Sequence, residues 1–170
     1  MNFKFKIIIL ILLVFSFHSV NAQSSKDYYQ ALFLLKFIKY TNWSNPPRYY
    51  TIGVVGNSPV IPYLKNLTKN KRINGKPVVL SKVSSYSNID KYSLLYIPKS
   101  QNAKFKVIVA KTKGKSVLIV TEDGRLIHYN AAISFLEQNR SLLFQINPKV
   151  IKQRKMQVSN RLLAVGKVVK

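Results

Sequence analysis

Apolar positions along this chain change from helical to extended spacing several times. Between residues 28 and 40, large apolar side chains recur every three or four positions, and Ser24 and Ser25 precede them as residues that can cap a helix. Interleaved phenylalanines widen the apolar face, so we expect a helix that is buried around much of its circumference. The prolines that begin at Pro46 then require this helix to end, which we predict near Trp43.

Four short segments that follow predict strands, and the last of them, Ser116–Thr121, is almost purely apolar, as is typical of a strand buried on both faces of a sheet. Helical segments lie among them, one after Ser58-Pro59 and one at Ala103–Ala110, while Asn74-Gly75 is typical of a tight turn. This alternation predicts a mostly parallel sheet with helices on its faces. The predicted strands are Tyr49–Val55, Pro77–Val83, Tyr92–Ile97 and Ser116–Thr121.

The pattern changes after residues 122–124, which predict a turn. Ile133–Leu136 and Leu142–Ile146 then predict an antiparallel hairpin that completes the edge of the sheet. The remainder, from Asn147-Pro148 onward, predicts helix. The fold class is therefore α/β: a single three-layer domain with a mostly parallel sheet, an antiparallel C-terminal hairpin and helices on both faces. The apolar face of the last helix is predicted to consist of Val158, Leu162, Leu163 and Val165.

The first 22 residues have the pattern of a secretory signal peptide. Two lysines precede the apolar run Ile7–Val14, and small residues lead to a predicted cleavage site after Ala22. An uncleaved membrane anchor is the alternative, but the run is shorter than the roughly 20 residues that span a bilayer. Because the chain has no cysteine, a lipid anchor is excluded. We therefore predict a periplasmic protein with a signal peptide at 1–22 and one domain at 23–170.

The composition is strongly basic and lacks cysteine. Lysine and arginine number 28 against 5 acidic residues, which gives a formal net charge of +23. Such a charge favours contact with anionic surfaces, but the basic residues are spread along the chain, so no specific nucleic-acid role is indicated. The absence of cysteine excludes thiol catalysis and cysteine metal sites, and an ordinary hydrophobic core must hold the domain together.

Motifs for catalysis are missing. Residues 114–116 read Gly-Lys-Ser, as at the end of a phosphate-binding loop, but Val109 stands where that motif needs glycine. There is no nucleophile elbow, and His128 is the one histidine outside the signal segment. We therefore predict a protein that is not an enzyme and has no cofactor and no metal site. The acidic residues, too scattered for metal binding, are Asp27, Asp90, Glu122, Asp123 and Glu137.

A group of polar residues follows the last predicted parallel strand. In parallel sheets, ligands and partners dock at the carboxyl ends of strands, so this group is the candidate binding surface; an ordinary polar loop is the alternative. A tryptophan can anchor a partner, although the interpretation favoured for Trp43 is that it closes the core beside the first helix. The candidate partner- or ligand-binding residues are Glu122, Asp123, Arg125, His128, Asn130 and Trp43.

Eight stretches, in this order and spacing, carry a family resemblance across essentially the whole of residues 23–170. They are Ala31–Trp43, Ile52–Gly56, Asn74–Val78, Leu94–Pro98, Val117–Glu122, Ala132–Phe135, Leu143–Asn147 and Val158–Leu163. On these stretches the chain resembles the YfiR-like periplasmic family. The resemblance implies a non-enzymatic α/β regulator that binds the periplasmic region of an inner-membrane diguanylate cyclase and represses it, lowering cyclic-di-GMP signalling and biofilm output.

Two departures limit what this resemblance implies. Family members with disulfides can be under redox control, which a cysteine-free chain cannot have, and residues 130–132 read Asn-Ala-Ala where the family often has glycines. The receptor could also be of another kind, such as a sensor kinase, and a homodimer remains open. The alternative from the charge is a basic periplasmic protein that binds a ligand or anionic surfaces.

Overall fold

The computed structural model describes residues 19–83, 85–139 and 141–169. The predicted signal segment 1–22 lies outside these residues except for its last four positions, which belong to helix α1 (Ser19–Lys39). This helix starts before the predicted cap at Ser24, because neither glycine nor proline interrupts residues 19–25. Within the described part of the chain, no helix combines the length and apolarity that crossing a membrane requires.

Strands alternate with helices along the described chain. The other helices are α2 (Val60–Thr68), α3 (Phe105–Lys111), α4 (Pro148–Gln153) and α5 (Asn160–Val165), and 3₁₀ segments lie at Ile89–Lys91, Lys99–Lys104 and Gly124–Tyr129. The strands are β1 (Thr41–Trp43), β2 (Tyr50–Val55), β3 (Arg72–Ile73), β4 (Lys76–Val83), β5 (Leu94–Ile97), β6 (Leu118–Thr121), β7 (Ile133–Gln138), β8 (Ser141–Ile146), β9 (Met156–Val158) and β10 (Lys167–Val168).

Eight of these strands form the central sheet, in the order β10-β8-β7-β6-β5-β2-β4-β3. The five inner strands from β4 to β7 run parallel to one another. β8 pairs antiparallel with β7, as the predicted hairpin requires, and β3 pairs antiparallel with β4 through the turn at Asn74-Gly75. Both turn residues have positive φ, 50° and 78°, which a tight hairpin turn of this kind requires.

Each face of the sheet carries its own hydrophobic core. Along β2, Ile52 and Val54 point to the first core with α1 and α2, whereas Val55 belongs to the second core with α3. β5 divides in the same way, with Tyr96 in the first core and Leu95 in the second. This alternation at period two, on strands that are buried throughout, confirms the predicted three-layer α/β fold.

Aromatic rings tie α1 to the C-terminal hairpin. The ring of Phe37 on α1 is fully buried, with centroids 5.6 Å from Phe135 on β7 and 5.0 Å from Phe144 on β8. Phe33 adds a fourth ring, 5.2 Å from Phe144. Such aromatic pairs contribute beyond the apolar area that they bury, so this cluster joins the beginning of the described chain to the far side of the sheet.

The C-terminal segment departs from the predicted helix. α4 ends at Gln153, and Lys155 has a left-handed φ of 57°, which stops helical propagation. The next residues form β9, which pairs antiparallel with β1, so that Met156 lies opposite Trp43. Trp43 therefore lies in a strand after α1, rather than at the helix end as predicted.

Two further predictions about this segment are wrong. Val158 lies in β9 instead of the last helix, and Val165 in α5 is 69% exposed, so it is no part of an apolar inner face. The hairpin also does not complete the edge of the sheet, because β10 pairs in parallel with β8 outside it. These short strands depend on partners distant in sequence, which local hydrophobic spacing cannot reveal.

We expect Phe37→Ala to lower the free energy of unfolding by about 3–5 kcal/mol, because it leaves a cavity among three other aromatic rings. Tyr49→Ala serves as the matched control, since Tyr49 is 55% exposed, and should change stability by about 0.5 kcal/mol or less. Urea unfolding followed by circular dichroism measures both. Equal losses for the two variants would contradict the central place of the aromatic cluster.

Candidate functional site

The candidate polar residues lie along the connection from β6 to β7. Thr121 ends β6, and residues 122–123 follow at the carboxyl end of the strand. A 3₁₀ helix then spans Gly124–Tyr129 and begins at the last residue of the turn predicted at 122–124. We call Gly124–Tyr129 the crossover segment. Asn130 ends it with a left-handed φ of 76°. Because β7 is parallel to β6, this segment carries the chain from the carboxyl edge of the sheet back to the amino edge.

Asp123 fixes the start of the crossover segment. Its carboxylate is buried and accepts hydrogen bonds from the Arg125 backbone N–H at 3.1 Å and from Arg125 Nε at 3.0 Å. Arg125 Nη2 donates to the second carboxylate oxygen at 2.6 Å, and so does Asn102 Nδ2 at 2.7 Å. These donors, above all the Arg125 side chain, lower the pKa of Asp123 from 3.8 to about 2.

This bidentate arrangement holds an exposed arginine in one orientation. The side chain of Arg125 is 79% exposed, although its guanidinium forms an ion pair with Asp123. Tyr129, at the other end of the crossover segment, is 64% exposed, and His128 beside it is also exposed. The sequence interpretation omitted Tyr129, even though it lies between two chosen residues, because a lone tyrosine in an apolar-rich chain does not by itself indicate a surface position.

Glu122 faces a different environment from Asp123. Its Oε2 accepts a hydrogen bond from the Lys99 backbone N–H at 2.9 Å, and it lines a cleft of about 170 Å³ at the carboxyl edge of the sheet. Gln30 from α1 lies fully buried in the wall of this cleft, and Tyr96 donates to its Oε1 at 3.3 Å. Burial, with smaller contributions from carboxylates including Glu122, raises the pKa of the Tyr96 hydroxyl well above its usual value.

The last two candidate residues lie at the opposite, amino edge of the sheet. Trp43 is 7% exposed, its indole N–H donates to the Ser116 carbonyl at 2.9 Å, and its ring centroid is 5.3 Å from that of Tyr50. Its burial agrees with the interpretation of Trp43 as a residue that closes the core.

Asn130 lines a separate cleft beside Arg154. The structure thus brings Glu122, Asp123 and Arg125 together but separates them from Asn130 and Trp43.

This geometry offers binding groups more readily than catalytic ones. The adjacent carboxylates of Glu122 and Asp123 line the same cleft, but each accepts hydrogen bonds from its own donors within the fold. In the described part of the chain, no group of three or more histidine, cysteine or acidic residues is placed to hold a metal ion. What the site presents to solvent is an oriented guanidinium with an aromatic ring on the same short segment.

Comparison with known protein families shows to which family the chain belongs. Residues 27–167 match the profile of the YfiR/HmsC-like family, which is most of the chain. The chain belongs to the YfiR/HmsC-like family. This family consists of periplasmic regulators. The resemblance expected from the sequence is thereby confirmed.

Solved structures of similar fold are distant in sequence. A conserved domain protein from Vibrio cholerae matches with a TM-score of 0.57 and 14% identity, over 84% of this chain and 60% of that one. An ABC domain in complex with L-Trp from Streptococcus pneumonia matches with a TM-score of 0.54 and 14% identity, over 79% of this chain and 59% of that one. The chain thus spans about 60% of the length of these proteins, and the likeness concerns the fold alone. The comparison with curated proteins gave no significant match.

The low pKa of Asp123 predicts a specific pH dependence. A carboxylate whose pKa is depressed in the folded state adds stability above its unfolded pKa of about 4 and loses it as the pH falls toward 2. Asp123→Asn should therefore be less stable than the wild type at pH 6, with a difference that disappears near pH 2. Urea unfolding at several pH values measures this.

Asp90→Asn is the control for this prediction. Asp90 is about half exposed in its ion pair with Lys115, and such surface pairs add little stability. We expect its stability to follow that of the wild type across the pH range. A pH-independent difference between wild type and Asp123→Asn would show that the carboxylate acts only through its shape.

Proposed function

We propose that this protein is exported, with cleavage after Ala22, and represses an inner-membrane signalling protein by binding its periplasmic domain. The family match over residues 27–167 carries this proposal. The resemblance favours a diguanylate cyclase as the receptor, so that binding would lower cyclic-di-GMP and biofilm formation. No catalytic step is needed for such a role, which agrees with carboxylates that serve as hydrogen-bond acceptors in the fold.

The crossover segment is the proposed receptor-binding surface. Arginine and tyrosine are the residue types that most often dominate binding energy at protein interfaces, and Arg125 and Tyr129 are both well exposed here. Because Asp123 already orients the Arg125 guanidinium, less side-chain freedom is lost when a partner binds. An acidic or carbonyl-rich patch on the receptor would complement this surface, with His128 at its margin.

Repression follows if the protein binds one receptor state better than the other. A membrane receptor that exchanges between active and inactive conformations shifts toward the state with the higher affinity for the regulator. To move the receptor from almost wholly active to almost wholly inactive, the regulator must bind the inactive state roughly 10⁴-fold more tightly than the active state. A stable, pre-oriented surface suits this role, since a surface that adapted to both states would not discriminate between them.

We expect the double variant Arg125→Ala, Tyr129→Ala to lose repression. Expressed in a strain that lacks the gene, the wild type should lower cyclic-di-GMP, while this variant should leave it near the level of the deletion strain. Binding to inner-membrane vesicles that carry the receptor should weaken about tenfold or more. Both cyclic-di-GMP content and vesicle binding are measured.

A matched pair controls for charge and exposed aromatic area. Arg48→Ala, Tyr49→Ala removes the same residue types from exposed positions just before β2, and it should repress as the wild type does. If both double variants lose repression equally, the crossover segment is not the receptor surface. If neither does, the receptor binds elsewhere on the protein.

The high net charge supports a second candidate function, attraction to anionic surfaces without a specific receptor. Salt separates the two, because exposed charge attraction is screened within about 8 Å at physiological ionic strength. We expect capture of the receptor from solubilised membranes to persist from about 50 to 300 mM salt. Capture that is lost over this range, together with binding to receptor-free anionic vesicles, would favour the second function.

A further inference from the structure

Arg154 is a buried cation at the end of α4. The residue is 5% exposed, and its Nη1 donates to the Thr112 carbonyl at 2.9 Å, just beyond the end of α3. A guanidinium has five N–H donors in a rigid fork. In the described chain, one carbonyl acceptor is the side-chain hydrogen-bond partner of this fork. A charge this deeply buried is costly unless something compensates it.

No acidic side chain of the described residues provides that compensation. All five acidic residues lie in the described part of the chain, and none of them forms an ion pair with Arg154. Burial lowers the pKa of the Arg154 guanidinium, and no acidic neighbour opposes this effect. Other cations of the described chain have such partners, in the ion pairs Lys26–Glu137, Lys115–Asp90 and Arg125–Asp123. Arg154 therefore has no carboxylate counter-ion among the described residues.

A cleft of about 500 Å³ opens beside this arginine, between the end of α3 and α4. This volume lies within the usual range for small-molecule sites. Lys113 adds a second positive charge at its rim, and the amides of Asn130 and Gln153 add donors. Apolar side chains, including Val109 and Val150, form the rest of the wall. The lining thus combines positive and hydrogen-bonding groups with an apolar surface, and it contains no acidic residue.

We propose that this cleft binds a small organic anion, whose carboxylate or phosphate group takes the place of the missing counter-ion of Arg154. The planar fork of arginine matches two oxygens of either group in a bidentate contact. Lys113 lies at the mouth of the cleft, where it adds attraction for the same charge, and Val109 and Val150 contact the apolar part of the ligand. This site goes beyond the proposed receptor surface and does not depend on it.

A purely structural role of Arg154 makes a different prediction. If its task is only to hydrogen-bond the Thr112 carbonyl at the end of α3, then Arg154→Met should lower the melting temperature and leave anion binding unchanged. If the cleft is an anion site, Arg154→Met should weaken anion binding while the ligand-free protein remains folded with a similar or higher melting temperature. Methionine is chosen because it preserves much of the length of the side chain without its charge.

The test is calorimetric titration of the purified protein with inorganic phosphate and, separately, with butyrate, with butanol as the uncharged comparison. We expect the wild type to bind one of the two anions but not butanol. Arg154→Met should weaken this binding by about tenfold or more, and Lys113→Met should weaken it by a smaller factor. A response to phosphate identifies a phosphate-type ligand, and a response to butyrate identifies a carboxylate.

Arg161→Met is the matched control, because Arg161 is exposed on α5 and its loss changes the net charge equally. We expect its affinity for the anion to stay within about twofold of the wild type. Circular dichroism establishes that each variant is folded. Equal weakening by Arg154→Met and Arg161→Met, or no binding of either anion by the wild type up to about 50 mM, would overturn the proposal.

Discussion

Burial of the central parallel strands on both faces is the constraint on which the rest of the structure depends. Every residue of β2, β5 and β6 is buried, so side chains on these strands can only be apolar or internally hydrogen-bonded. Thr121 on β6 illustrates the second case, since its hydroxyl pairs at 2.7 Å with that of Ser134 on the neighbouring strand β7. Charged groups are thereby displaced to the ends of strands and to the connections, where the candidate site and the cleft beside Arg154 lie.

Acidic residues are scarce, and Arg125 and Arg154 differ in their exposure and in whether a carboxylate pairs with them. Arg125 has a carboxylate of its own and is exposed, so its charge is available to a partner in a fixed orientation. Arg154 is buried, and its side chain donates to the Thr112 carbonyl without a carboxylate partner among the described residues. In a protein with 28 basic and 5 acidic residues, most cations remain in water where lacking a partner costs little. The two arginines thus have different proposed roles, Arg125 in contacting a receptor and Arg154 in binding an anion, because their surroundings differ.

The sequence was sufficient for the parts of the fold that depend on local patterns. Apolar runs predicted the inner strands, and Asn74-Gly75 predicted its turn. Both predictions succeeded because a buried strand or a tight turn requires particular residue types within a few positions. The pairing of β1 with β9 was missed, since strands of three residues carry almost no periodicity and Trp43 meets Met156 only in the folded chain. The polar groups follow the same rule. Asp123 and Arg125 are close in sequence, so their association could be expected from it. The burial of Arg154 depends on packing beside Thr112, which is distant in sequence.

The aromatic cluster around Phe37 also bears on the order of events when the chain is made and folds. α1 comes first, but the rings it packs against, Phe135 and Phe144, belong to the C-terminal hairpin. Because a chain is made from its N-terminus, α1 is available before the rings that complete its burial. This core can therefore form only when the last third of the molecule has been made. Until then the apolar side chains of α1 are exposed to aggregation.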